Sequence, residues 1–130
     1  MARPKRGAKA DKADHCRVFS TDRRRIARAR QAMPSEAMVE AIALAFKALS
    51  HPTRVRILRS LGQGELCVCE LSSVVGLSVS ATSHQLSLLK GHGLVKSRSD
   101  GKQVHYSLGD GFVLALLEDC ARHLSEQEAA

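Results

Sequence analysis

The run Leu71-Ser72-Ser73-Val74-Val75-Gly76-Leu77-Ser78-Val79-Ser80-Ala81-Thr82-Ser83-His84-Gln85-Leu86-Ser87-Leu88-Leu89-Lys90 decides the fold. Leu71, Val74 and Val75 give one apolar side to a short helix over roughly Val68 to Val75. Gly76 supplies the turn that ends it. Ser78 or Ser80 then caps a longer helix that continues through Lys90 with Leu86 and Leu89 inward, until Gly91 and Gly93 stop it. A short helix, a glycine turn and a polar-faced second helix make a helix-turn-helix, whose second helix enters the major groove of DNA. On the outer face Ser80, Ser83, His84 and Lys90 can hydrogen-bond base edges or phosphates, although an ordinary solvated helix face offers the same groups.

The flanks favour the DNA-binding reading. Leu94 to Arg98 and Gln103 to Leu108 are strand-like and joined through Asp100-Gly101, a strong hairpin signal. A basic hairpin after a recognition helix is a wing, and Arg98 and Lys102 on it can hold phosphates beside the groove. Upstream, Met38, Ile42, Ala45, Phe46 and Leu49 mark the apolar face of a helix from Ser35 to about Ser50. His51-Pro52 interrupts the chain, and Pro52 can open a helix carrying Val55, Leu58 and Leu61 that Gly62 and Gly64 close. Phe112, Leu116, Leu117, Ala121 and Leu124 repeat at helical spacing near the C-terminus. No later element can cover that helix, so dimerisation is expected to bury it.

Charge divides the chain of 130 residues. Residues 1–31 hold 11 Lys or Arg against 3 acids, while residues 32–130 hold 9 against 10, so the net charge of +7 resides in the leader. Its first stretch, Ala2 to Ala13, lacks apolar periodicity and is expected to be disordered, either as a solvated tail or in non-specific contact with phosphates. Val18 to Ala32 can form a short Arg-rich helix that Pro34 ends. The expected organisation is a basic, flexible arm over 1–33 and a winged helix-turn-helix domain over 34–130. Aromatic residues make up 3% and Trp is absent, which disfavours a stacking platform for single strands and leaves duplex DNA as the nucleic-acid partner. No apolar run is long enough for a membrane span or a signal peptide, so a cytoplasmic protein with no membrane partner is expected. The histidines do not converge with an acid or nucleophile, which argues against an enzyme.

In a reducing cytosol four cysteines are expected to bind metal, react or be buried, not to form disulfides. Cys67 and Cys69 lie in Glu65-Leu66-Cys67-Val68-Cys69-Glu70-Leu71, at the start of the short helix. Residues i and i+2 of a regular helix point apart, so the two thiols can close on one ion only by straddling the irregular helix start. Two thiolates under-coordinate Zn²⁺, which normally takes four ligands, so others must join them.

The motifs Leu49-Ser50-His51-Pro52-Thr53-Arg54, the cysteine run just quoted, Ser83-His84-Gln85-Leu86 and Tyr106-Ser107-Leu108-Gly109-Asp110 together resemble the ArsR/SmtB family of winged helix-turn-helix metal-sensing repressors. The resemblance covers about residues 35 to 126. It implies a mainly α fold with a small β-hairpin wing and a homodimer joined by its first and last core helices. It also implies binding to palindromic operator DNA without metal, and release when metal binds.

The leader Asp14-His15-Cys16-Arg17-Val18-Phe19 resembles the arm of the cadmium/lead-sensing CadC-like branch, which implies Cys16 as a third ligand beside Cys67 and Cys69. That branch has a second arm cysteine where this chain has Ser20, leaving three thiolates and His15, Ser20 or water as a fourth donor. An exposed Cys16 with no ligand role is the alternative. The implied effector is Cd²⁺, Pb²⁺ or Zn²⁺. Members sensing arsenic carry a third thiol where this chain has Ser72, so an As(III) site would also need Cys16. A second family site maps onto Asp110, His123 and Glu126, but Phe112 stands where its first His belongs. Cys120, one turn before His123, reads as a small apolar side chain in the dimer interface. The competing reading is a repressor of the same fold that senses redox state or reactive sulfur through Cys67 or Cys69.

Overall fold

Pro52 begins a helix and Gly76 ends one in the computed structural model, which describes residues 21–129. The elements in chain order are α1 (Arg23–Ala32), α2 (Glu36–Leu49), α3 (Pro52–Leu61), β1 (Leu66–Cys67), α4 (Val68–Val75), α5 (Val79–Gly91), β2 (Val95–Ser99), β3 (Val104–Leu108) and α6 (Gly111–Ala129). The chain divides into two units, Met1–Glu40 and Ala41–Ala130.

In the first unit, α1 starts later than the expected Val18. Asp22 is extended and its carboxylate accepts from the backbone N–H of Arg24 at 2.9 Å, so the helix is capped there. Thr21 and Asp22 are therefore outside the helix, and Val18 to Ser20 lie outside the described residues. No residue of α1 is buried.

In the second unit, Ile57, Leu58 and Leu61 of α3 form the core with Leu71 of α4, Leu86 and Leu89 of α5, Val95 of β2 and Val113 of α6. Burying side chains of this size stabilises the fold by ~1.5–3 kcal/mol each relative to leaving them in water. The turn between α4 and α5 is as expected: Gly76 takes φ 75°, a left-handed conformation costly for any residue with a Cβ. Ser78, not Ser80, caps α5, its Oγ accepting from Ala81 N–H at 3.0 Å. Thr82, fully buried on α5, donates its hydroxyl to the Ser78 carbonyl at 2.9 Å.

The wing has five residue pairs between β2 and β3, from Val95 opposite Leu108 to Ser99 opposite Val104. The strands begin one residue later than expected, β2 at Val95 because the Leu94 N–H still donates to the Leu89 carbonyl of α5, and β3 at Val104 because Asp100 to Gln103 form a tight loop. In it the Asp100 N–H donates to the Gln103 carbonyl and the Gln103 N–H to the Asp100 carboxylate, both at 3.1 Å. A third strand was not legible in the sequence: β1 pairs with β3, Leu66 opposite Tyr106 and Cys67 opposite His105, giving the antiparallel order β1-β3-β2. Gly109 anchors the far end of β3, donating to the Leu94 carbonyl at 2.9 Å. A Cβ there would meet the Gly93 carbonyl oxygen at 2.5 Å, so only glycine permits this approach.

Candidate nucleic-acid interface and thiol site

The exposed face of α5 carries Ser80, His84 and Lys90, with Ser83 half-buried beside them. Gln85, half-buried, accepts from Arg54 Nε at 2.9 Å, and Arg54 Nη1 donates to the Ala48 carbonyl at 3.2 Å. Lys90 does not stand free, since its Nζ donates to Ser97 Oγ on β2 at 2.7 Å and so ties the end of α5 to the wing.

On the wing, Arg98 makes a two-pronged contact with Glu65: Nε donates to one carboxylate oxygen at 2.9 Å and Nη2 to the other at 2.7 Å. The Arg98 guanidinium holds the Glu65 carboxyl below its ordinary range, and the same contact raises Arg98. At the wing tip the Gln103 N–H, then His105, hold Asp100 below its ordinary value, and His105 Nε2 lies 2.8 Å from its carboxylate. Lys102 is exposed in the loop. The sequence pattern gave no sign of Glu65, Arg54 and Gln85 as parts of this surface. Their partners lie 33 and 31 residues away in sequence, where periodicity carries no signal.

Cys67 ends β1 and is also the N-cap of α4, with φ −85° and ψ 169°. It is buried, whereas Cys69, inside the first turn, is exposed. The Cys67 N–H donates to the Glu70 carboxylate at 2.9 Å, and this bond, first among its causes, holds Glu70 below its ordinary value. The pair thus brackets the helix start, Cys67 at the N-cap and Cys69 in the first turn. Cys16, His15 and Ser20 lie outside the described residues. Among the described residues no three of His, Cys, Asp and Glu gather into a metal-binding group. Ser72, at the arsenic branch's third thiol position, donates its hydroxyl to the Leu77 carbonyl across the Gly76 turn.

The second candidate set is not assembled within one chain. The Asp110 carboxylate accepts from the Phe112 N–H at 2.9 Å, capping α6, and at ~1.5 Å rise per residue His123 lies about 20 Å further along that helix. His123 and Glu126 are exposed.

Phe46, Leu49, Val55, Leu116, Leu117 and Leu124 line an apolar groove of ≈ 500 Å³, with Cys120 on its wall. Ile42, Leu44, Phe46, Phe112 and Leu124 are 45–65% exposed, so the apolar faces of α2 and α6 are largely unpartnered in the single chain. Among the described residues no helix is long and apolar enough to cross a membrane.

Residues 51–97 match the model of the bacterial regulatory protein, arsR family. A cadmium resistance transcriptional regulatory protein CadC homolog of Staphylococcus aureus is 39% identical over 114 residues, covering 87% of this chain and 93% of the relative. A transcriptional repressor SmtB homolog of Synechocystis is 45% identical over 83 residues, covering 64% of this chain but only 63% of the relative. Among solved structures, a homodimeric winged helix-turn-helix DNA-binding domain from Mycobacterium bovis, a possible ArsR-family regulator, superposes with a TM-score of 0.65 at 30% identity. That match covers 73% of this chain and 91% of the domain.

Proposed function

From the premise that this chain belongs to the ArsR family of bacterial transcriptional regulators, we propose that it is a homodimeric repressor that releases operator DNA on binding a soft or borderline ion, Cd²⁺, Pb²⁺ or Zn²⁺, through Cys67, Cys69 and Cys16. The observation that carries this reading is the position of Cys67 and Cys69 astride the start of α4. At that point the backbone passes from extended to helical, so side chains two residues apart are not forced to opposite sides. The amino end of a helix also carries positive partial charge, which suits anionic sulfur donors. The two thiols form part of a coordination shell for a thiophilic ion, and a further donor is needed to complete it, since among the described residues of one chain no third ligand gathers with them. Cys16 supplies it in this proposal.

The DNA-facing groups are Ser80, Ser83 and His84 of α5, with Lys90, Arg98 and Lys102 at the edge of the wing. Two copies are held together by the apolar faces of α2 and α6, which the single chain leaves exposed. A ligand lowers DNA affinity only if it favours the DNA-free conformation. Drawing the arm onto the start of α4 does this by shifting α4, and with it α5, out of the spacing that two successive major grooves demand.

Titrating the metal-free dimer with Cd²⁺, Pb²⁺, Zn²⁺ and As(III), read by operator release, tests the proposal. Cd²⁺ is expected to release DNA with an ultraviolet thiolate-to-metal band of about three thiolates. Cys67→Ser puts a hydroxyl, a good N-cap group, in place of the thiol and is expected to fold and bind operator yet fail to release it, as is Cys69→Ser, while Cys16→Ser loses most of the response. His123→Ala leaves release intact. If His123→Ala abolishes release and Cys67→Ser does not, the sensor lies on α6. Release by an oxidant or persulfide, with no response to any ion, would transfer the thiols to redox sensing.

A further inference from the structure

We propose that Arg54 is a positioning residue for the recognition helix, a strut through which the carboxyl end of α2 sets the orientation in which α5 meets DNA. Arg54 sits in the first turn of α3, half-buried. Its Nε donates to Gln85 Oε1 on α5 at 2.9 Å, and its Nη1 donates to the carbonyl of Ala48 in the last turn of α2 at 3.2 Å. Ala48 is 2% exposed, so this carbonyl sits at a buried position at a helix end, where the last carbonyls have no intrahelical partner. One planar group therefore joins three helices. A guanidinium presents its donors in a fixed fork, so it fixes the relative orientation of its two acceptors, which a lysine ammonium on a flexible stem does not.

What lies on either side of the strut gives it a role in recognition. Gln85 immediately follows Ser83 and His84, so a displacement of Gln85 carries those groups with it. At the other end, Phe46, Leu49 and Ser50 surround Ala48 in sequence and line the apolar groove of ≈ 500 Å³. The last turn of α2 thus has one side in that groove and the other held by Arg54. Whatever fills the groove alters the turn that Arg54 grips, and so the seat of α5. The strut acts without touching DNA and apart from the thiols. It rests on the reading of α5 as the DNA-facing helix.

The test uses the full-length dimer, an operator duplex selected from a random pool, and a random duplex of equal length. Affinity for both duplexes is measured across a salt series for Arg54→Lys, Gln85→Ala and the double variant, with thermal unfolding alongside. Each single change is expected to weaken operator binding roughly tenfold while leaving random-duplex affinity and the salt slope unchanged. Both changes break the same Arg54–Gln85 bond, so the double variant is expected to be no weaker than the weaker single. A matching loss on the random duplex with a shallower slope would make Arg54 a phosphate contact and overturn the proposal. Losses that multiply in the double variant would overturn it too, because the two side chains would then act independently. Gln85→Ala alters only a half-buried side chain, and it decides the matter even if Arg54→Lys fails to fold: unchanged operator affinity would rule out the strut. If the unaltered protein selects no sequence from the pool, the reading of α5 falls and takes the strut with it.

Discussion

Ser83 and His84 are adjacent on α5 yet differ in surroundings, His84 exposed and Ser83 half-buried. Both can reach base edges only if α5 lies in the major groove, so replacing both with Ala is expected to weaken operator binding by ~1–3 kcal/mol for each base edge that goes unread. Thermal unfolding should be unchanged, and an operator affinity equal to that of the unaltered protein would remove both residues from the interface. The exposure of His84 followed from the sequence, since Leu86 and Leu89 fix which side of α5 faces the core, whereas Ser83, three residues before Leu86, is half-buried where the sequence placed it outward. What Lys90 and Arg98 do without DNA did not follow. Each is engaged by a residue of another element, Ser97 and Glu65, and a pattern of apolar spacing records which face is outward but not which distant group meets it.

At the scale of elements, glycine and proline were the legible signals because each acts through its own backbone. Gly76 at φ 75° is the plainest case, and Gly76→Ala is expected to cost about 1 kcal/mol of stability and several degrees of Tm, with α4 and α5 losing their relative orientation. Strand β1 was not legible because two residues are too few to show alternation, and its existence depends on β3 some forty positions later in the chain. That strand places Glu65 against Arg98 and so joins the segment before the thiols to the wing. A carboxyl held below its ordinary value of 4.5 in the fold stabilises the fold above that value, and the contribution is lost as pH falls through the lowered value. Glu65→Gln is therefore expected to flatten the decline of Tm on acidification from about pH 4.5 downward. Part of the decline remains, since Glu70 and Asp100 are lowered as well. An unchanged acid limb would mean that the ion pair contributes nothing at its exposed position.

At the scale of the molecule, the second unit exposes large apolar side chains on two of its helices. Leu44, Phe46, Phe112 and Leu124 are each more than half exposed, and they belong to α2 and α6, the helices whose apolar spacing is clear in the sequence. The spacing marks an apolar face, but periodicity does not say whether a face is covered by its own chain or by another. The groove beside Phe46 and Leu124 and the homodimeric winged helix-turn-helix relative both favour a second copy. Phe46→Glu together with Leu124→Glu would place four carboxylates in the paired face of a dimer, where desolvating unpaired charge is costly. This variant is expected to sediment as a monomer with unchanged helical circular dichroism, because neither side chain belongs to the core around Leu58 and Leu86. A monomer offers one recognition helix where a palindromic operator presents two half-sites a helical turn apart, so specific binding should fall sharply while weak non-specific binding persists. If the variant remains a dimer with full operator affinity, α2 and α6 do not form the interface and some other surface must hold the two recognition helices in register.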